Sequence, residues 1–139
     1  MTEKMTDNRR QETVEARAHG VIRDVTDLAV YRKAYAVSLE MHHMSLTLPK
    51  HEQYELAAQL RRASKSVCAN LAEGFGKQGT SKPEFKRYIQ MAIGSADEVR
   101  LWLQYIVDLG YAERAPVTAW QMTYRDIAKM LTGLHRKWS

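Results

Sequence analysis

The sequence predicts an all-α domain that folds as an up-down antiparallel four-helix bundle behind a flexible N-terminal leader. Apolar residues recur at spacings of three and four in four long segments, which is the period of amphipathic helices. No segment shows the alternating pattern of a strand. Only 7 glycines and 3 prolines occur among 139 residues, whereas sandwiches and barrels need them at frequent turns. Long helices joined by short connections pack antiparallel, so four of them form an up-down bundle.

The chain is expected to divide into a disordered or weakly ordered leader, residues 1–26, and one bundle, residues 27–139. The first 25 residues carry five basic and five acidic side chains and few large apolar ones, which is typical of a segment without its own core. The whole chain has 21 Lys and Arg against 16 Asp and Glu, a net charge of +5. Because the charges of the leader cancel, this excess lies on the bundle.

The first helix is predicted to begin near Asp27, where Thr26 or Asp27 offers a capping oxygen, and to end before Pro49. Its apolar residues form two neighbouring stripes, which is more than one core contact requires. This surplus suggests that subunits associate. The stripes are Leu28, Tyr31, Tyr35, Leu39 and Leu46, and beside them Val30, Ala34, Val37, Met41 and Met44.

The second helix is expected from about Glu52 to Gly74, and the third begins after Ser81, whose hydroxyl, with Pro83 and Glu84 following, forms a capping-box start. The third helix ends at Gly110. The fourth has Pro116 in its first turn and the most regular heptad of the chain. Its apolar positions are Trp120, Tyr124, Ile127, Leu131, Leu134 and Trp138.

A line of polar residues on the second helix is predicted to face another on the third. In a hairpin that turns near position 79, residues whose numbers add up to about 160 lie at the same height, so Arg62 meets Glu98. We interpret this ladder as a structural network that sets helix register, with Gly94 allowing close approach. The alternative is a catalytic site with Glu73 or Glu98 as base. The ladder residues are Arg62, Ser66, Asn70, Glu73, Ser95 and Glu98.

The sequence contains no familiar catalytic or cofactor motif. A glycine-rich phosphate loop, a pair of Glu-x-x-His motifs and a His-Glu-x-x-His motif are all missing, so we predict a protein that is not an enzyme, with no metal and no cofactor. The single cysteine, Cys68, is expected to be a packed thiol and fits a reducing, cytoplasmic location. Neither a signal peptide nor a membrane span is expected, since no long apolar run occurs.

Basic residues gather around the turn between the second and third helices. An excess of positive charge without a sequence-reading motif suits contacts to the phosphates of RNA or DNA. For any single residue, a solvated surface charge is the simpler interpretation. The candidates for nucleic-acid contact are Arg61, Arg62, Lys65, Lys77, Lys82, Lys86 and Arg87, of which Arg62 could instead be neutralised by Glu98.

Residues 27–111 resemble the four-helix-bundle family of intervening-sequence proteins, some of which are encoded in insertions within bacterial 23S ribosomal RNA genes. The most specific matching pieces are Glu55-Leu56, Gln59-Leu60-Arg61-Arg62, Ser66, Asn70-Leu71-Ala72-Glu73-Gly74, Glu84-Phe85 and Gly94-Ser95. Related bundles serve as accessory variability proteins of diversity-generating retroelements, where a basic homopentamer binds a reverse transcriptase and its template RNA. This chain differs from them in its Asn-Leu-Ala-Glu-Gly motif and its long charged leader.

The function expected from these observations is that of a cytoplasmic homo-oligomer, a pentamer by resemblance, that binds RNA or an RNA-protein complex through basic residues. The alternative is a scaffold that binds a protein partner, such as a reverse transcriptase, without touching nucleic acid. The two differ in where charge and apolar surface lie on the assembled particle.

Overall fold

The fold was analysed in a computed structural model, which describes residues 22–77 and 81–138. Within these ranges the chain forms four α-helices and no strand, so the predicted all-α fold is confirmed. The helices are α1 (Ala29–Ser45), α2 (Leu56–Phe75), α3 (Lys82–Asp108) and α4 (Arg114–Lys137). Of the predicted leader, residues 1–21 lie outside the described residues, as do positions 78–80 of the predicted glycine turn.

The helix starts differ from their predicted positions where a short 3-10 turn comes first. Val25–Asp27 forms one such turn, and the Asp27 carboxylate accepts hydrogen bonds from the backbone N–H groups of Arg23 and Asp24, at 3.0 and 3.1 Å. Lys50–Glu52 forms another, which delays α2 to Leu56. The start of α3 follows the prediction, since the Ser81 hydroxyl accepts the Glu84 N–H at 3.3 Å.

The helices pack antiparallel around the core. In each neighbouring pair, residue numbers increase along one helix while the numbers of the residues they contact decrease along the other. Between α1 and α4, for example, Lys33 contacts Asp126 and Glu40 contacts Trp120. Helix α1 thus packs on α2 and α4, and α3 joins α2 to α4. The core-facing side of α3 is fully buried, and its residues are Phe85, Ile89, Ala92, Ala96, Val99, Leu103 and Ile106.

The glycine that allows close approach between α2 and α3 is not the predicted one. Gly94 is not a point of close approach, because a Cβ atom added there would meet nothing within 4 Å. Gly74 lies inside α2 and is buried, and its added Cβ would come 2.5 Å from the Cβ of Tyr88 on α3. Of these two glycines, Gly74 is therefore the one at which the helices approach closely, near the closed end of the hairpin.

Candidate nucleic-acid interface

The polar ladder between α2 and α3 has the predicted register. Arg62 Nη2 lies 3.6 Å from Glu98 Oε2, and the hydroxyl oxygens of Ser66 and Ser95 are 2.9 Å apart. Nearer the hairpin end, the Tyr88 hydroxyl donates to Glu73 Oε1 at 3.1 Å, which raises the pKa of Tyr88. The contacts follow one line along the surface of the pair.

The ladder residues are half-buried or exposed, and none of them is fully buried. Their polar groups bind one another or a neighbouring side chain. The Asn70 amide donates to the Ser66 carbonyl at 2.9 Å, and the Glu98 carboxylate, besides its ion pair with Arg62, accepts a hydrogen bond from Trp102 Nε1 at 2.9 Å. Three surface cavities, described below, lie among residues 22–77 and 81–138, and none of them is lined by Asn70, Glu73 or Glu98. This geometry favours the interpretation that the ladder sets helix register.

Four of the predicted nucleic-acid contacts stand at the closed end of the α2–α3 hairpin. Lys77 follows α2, and Lys82, Lys86 and Arg87 occupy the first turns of α3. Arg87 is held by the Glu84 carboxylate at 3.0 and 3.3 Å, and this hydrogen bonding lowers the pKa of Glu84. Lys77, Lys82 and Arg87 are exposed, so this end of the bundle displays positive charge.

The remaining three predicted contacts differ from one another. The Lys65 ammonium lies 3.0 Å from His42 Nδ1 on α1, and its charge lowers the pKa of that imidazole. Arg62 is exposed but pairs with Glu98 and also donates to Gln59. Both side chains leave part of the cation facing solvent.

Arg61 is committed to the connection between α1 and α2. Its guanidinium donates to the Ser45 hydroxyl at 2.9 Å, to the Gln53 side-chain oxygen at 3.3 Å and to the Gln53 carbonyl at 2.7 Å. The Gln53 amide in turn donates to the carbonyls of Ser45 and Leu48. Since its donors are used in this way, Arg61 has a structural role and we remove it from the candidate phosphate contacts.

A second basic surface, which the sequence did not indicate, lies between α3 and α4. Two adjoining cavities of about 450 and 510 Å³ share Asp97, Arg100 and Arg125, and Lys129 and Arg136 line the second one. Neither Arg100 nor Arg125 was among the predicted contacts, because they are 25 positions apart and meet only through the register of α3 against α4. We call this feature the α3–α4 cleft, defined by Asp97, Arg100, Arg125, Lys129 and Arg136.

A second cleft, of about 500 Å³, runs between α1 and α2 and is mainly apolar. Tyr31, Tyr35, Leu39 and Ala72 line it, and Lys65 stands at its side. Cys68 also borders it but is 9% exposed, and burial raises the pKa of its thiol to about 11. At neutral pH Cys68 therefore stays a protonated thiol, in keeping with a packing role.

Two sets of large apolar side chains are exposed, one on α1 and one on α3. On α1 and just beyond it, Tyr35, Leu39 and Leu46 are 51, 47 and 57% exposed. On α3 and just beyond it, Leu101, Tyr105 and Leu109 are 50, 50 and 54% exposed and follow one another at intervals of four residues. We call these two sets the α1 stripe and the α3 stripe.

The described residues also bear on metals and membranes. Within residues 22–77 and 81–138, no group of three or more His, Cys, Asp or Glu side chains is placed to hold a metal ion. None of the helices in this part of the chain combines the length and the hydropathy that a membrane span requires.

Comparisons with known proteins agree with this fold. No curated protein matches the chain. A protein of unknown function from the S23 ribosomal protein family of Bacteroides thetaiotaomicron VPI-5482, known from a crystal structure, aligns with a TM-score of 0.70 at 20% identity. The alignment covers 77% of this chain and 98% of that one, and at this identity it shows a shared fold. The family described as 23S rRNA-intervening sequence protein matches residues 26–133, and the chain belongs to this family.

Proposed function

We propose that the protein is a non-enzymatic, cytosolic homo-oligomer, a pentamer by the resemblance noted above, that binds RNA or an RNA-protein complex through phosphate contacts. The observation that carries this proposal is the position of the cations at the closed end of the α2–α3 hairpin. Lys77, Lys82, Lys86 and Arg87 stand there on both sides of one connection, and Glu84 is the carboxylate among them. The N-terminus of α3 adds its partial positive charge to the same place.

Binding through phosphates has a characteristic dependence on salt. Each neutralised phosphate of a single strand releases counterions and contributes about −0.7 to the slope of log affinity against log salt. For four contacts, we expect the affinity for a labelled 12-nucleotide single-stranded RNA to fall about 50-fold between 50 and 200 mM salt. Fluorescence anisotropy titrations measure this slope, and an affinity that does not change with salt contradicts the proposal.

The α1 and α3 stripes support self-association. A closed ring needs two different patches on each subunit, one for each neighbour, and the two stripes lie on different helices of the bundle. Burying such exposed apolar groups against a second copy is favourable. The alternative function, a scaffold for a protein partner without nucleic-acid contact, would use the same apolar surface.

Substitutions in the stripes test this association. We expect Leu39→Glu and Tyr105→Glu each to shift the protein to a smaller species in multi-angle light scattering at micromolar concentration, because a charge in a buried interface is costly. Tyr54→Glu is the matched control, since Tyr54 is 93% exposed and lies outside both stripes. A wild-type protein that is already monomeric, or stripe variants as large as the control, would count against the proposal.

A further inference from the structure

Building on the proposed RNA binding, we infer that one RNA strand lies in the α3–α4 cleft, with its phosphates between Arg100 on one wall and Arg125, Lys129 and Arg136 on the other. The two cavities that form the cleft share residues on both walls, so they make one continuous groove between the helices. Its length suits a linear ligand, because Arg125 and Arg136 are eleven residues apart, which is about 16 Å along a helix.

The charge of the cleft is the first argument for an anionic ligand. Four cations face one carboxylate, Asp97, whose Oδ1 lies 3.7 Å from Arg100 Nη1. Asp126, beside Arg125 in sequence, is directed to α1 and lies 3.8 Å from Lys33 Nζ. Within the described part of the chain, Arg125, Lys129 and Arg136 form no ion pair with a carboxylate. Their charges are therefore available to a ligand.

The other lining residues indicate which part of a nucleic acid enters. Between the cations the lining combines polar side chains with the apolar Ile93, Leu101, Met122 and Ala128. The donors of Gln104, Gln121 and Thr132 are already used within the protein, so a ligand here is held by the cations. No aromatic side chain lines either cavity among residues 22–77 and 81–138, so the cleft offers no platform on which bases could stack. The ligand class that fits is the sugar-phosphate backbone of a single strand, bound without base readout.

Gly133 keeps the groove open at its α4 wall. It lines the second cavity, and a Cβ atom added there would meet nothing within 4 Å. Close helix packing does not require a glycine at this position, which lies inside α4. Its lack of a side chain gives a phosphate access between Lys129 and Arg136.

The test compares two triple substitutions that each remove three positive charges. The cleft variant carries Arg125→Gln, Lys129→Gln and Arg136→Gln, and the control carries Arg23→Gln, Lys50→Gln and Arg114→Gln, three exposed cations outside both the cleft and the hairpin end. The probe is a fluorescein-labelled 12-nucleotide single-stranded RNA, titrated at several salt concentrations. Melting curves establish that both variants fold, and Arg125→Gln alone provides a milder change at an exposed position.

We expect the cleft variant to bind about 100-fold more weakly than wild type at 0.1 M salt and to lose about 2 from the salt slope, since three contacts of about 0.7 each are removed. Arg125→Gln should lose about 0.7 from the slope. A cleft variant that binds as wild type does, or both triples losing affinity equally, overturns the cleft site and leaves RNA binding intact. A wild-type protein that does not bind the probe overturns both proposals.

Discussion

Replacing Gly74 with alanine should lower the free energy of unfolding by about 1–2 kcal/mol, although alanine is the better helix former. The new Cβ would lie 2.5 Å from Tyr88 Cβ and 3.2 Å from Tyr88 Cγ. These atoms are at the root of the Tyr88 side chain, so no rotamer change removes the overlap and the α2 and α3 backbones must separate. Overpacking of this kind costs about 1–3 kcal/mol, which the gain in helix propensity of up to about 1 kcal/mol offsets in part.

Gly94→Ala is the matched control on the partner helix. Position 94 lies inside α3 with open space around it, so alanine should raise the free energy of unfolding by about 0.5–1 kcal/mol. Urea denaturation of both variants measures the two values. The effects are thus expected to have opposite signs, and a Gly74→Ala protein as stable as the Gly94→Ala protein would show that the helices do not touch at Gly74.

A double-mutant cycle can assign the cost to one contact. Tyr88→Gly removes both atoms that the new Cβ would meet, together with the hydroxyl that donates to Glu73. In the Tyr88→Gly background, Gly74→Ala should therefore lose most of its cost and approach the effect of Gly94→Ala. An unchanged cost in that background would place the clash elsewhere, for example at Phe85 Cδ1, which lies 3.5 Å from the added Cβ.

The helices and the ladder were predictable because both follow from spacing within one hairpin. Once α2 and α3 are helices joined by a short connection, the position of the turn decides that Arg62 is level with Glu98 and Ser66 with Ser95. The roles of Gly74 and Gly94 were not predictable in the same way. Which of the two glycines touches the neighbouring helix depends on how far each helix is rotated about its own axis. Residue spacing along the sequence does not determine that rotation.

The α3–α4 cleft was missed because its cations are distributed over two helices. In the sequence, Arg136 stands with Lys137 at the C-terminal end of α4, where cations complement the helix dipole and need no ligand. One available signal was that Arg125 and Lys129 are four residues apart and so share a face of the helix. The contribution of Arg100 from α3 required the register of the two helices, which no local pattern contains.

Arg61 differs from the other predicted contacts because its hydrogen-bond partners are nearby in sequence but lie outside its own helix. The residues that it binds, Ser45 and Gln53, belong to the end of α1 and to the connection before α2. A sequence pattern shows a charge on a helix face and does not show that a loop carbonyl lies beside it. Half-buried arginines of this kind are therefore easily taken for ligand contacts.

Replacing Arg61 with methionine should cost about 2 kcal/mol of stability and leave RNA affinity nearly unchanged. Methionine keeps much of the apolar stem but makes none of the three hydrogen bonds to Ser45 and Gln53, and hydrogen bonds from charged groups contribute about 1.5–3 kcal/mol. The Ser45 hydroxyl keeps a partner, since it donates to the His42 carbonyl at 2.6 Å. The loss should therefore fall mainly on the Gln53 carbonyl and on the α1–α2 connection.

Lys65→Met is the control that separates stability from binding, because it removes the same charge one turn further along α2. Lys65 is exposed and its ammonium lies beside the His42 imidazole, so its loss should change the free energy of unfolding by less than about 0.5 kcal/mol. Urea denaturation gives the stabilities, and anisotropy with the 12-nucleotide RNA gives the affinities of the folded proteins. Wild-type stability together with a loss of RNA affinity in Arg61→Met would show that Arg61 is a phosphate contact after all. The α1–α2 connection would then be held by the hydrogen bonds from the Gln53 amide to the Ser45 and Leu48 carbonyls.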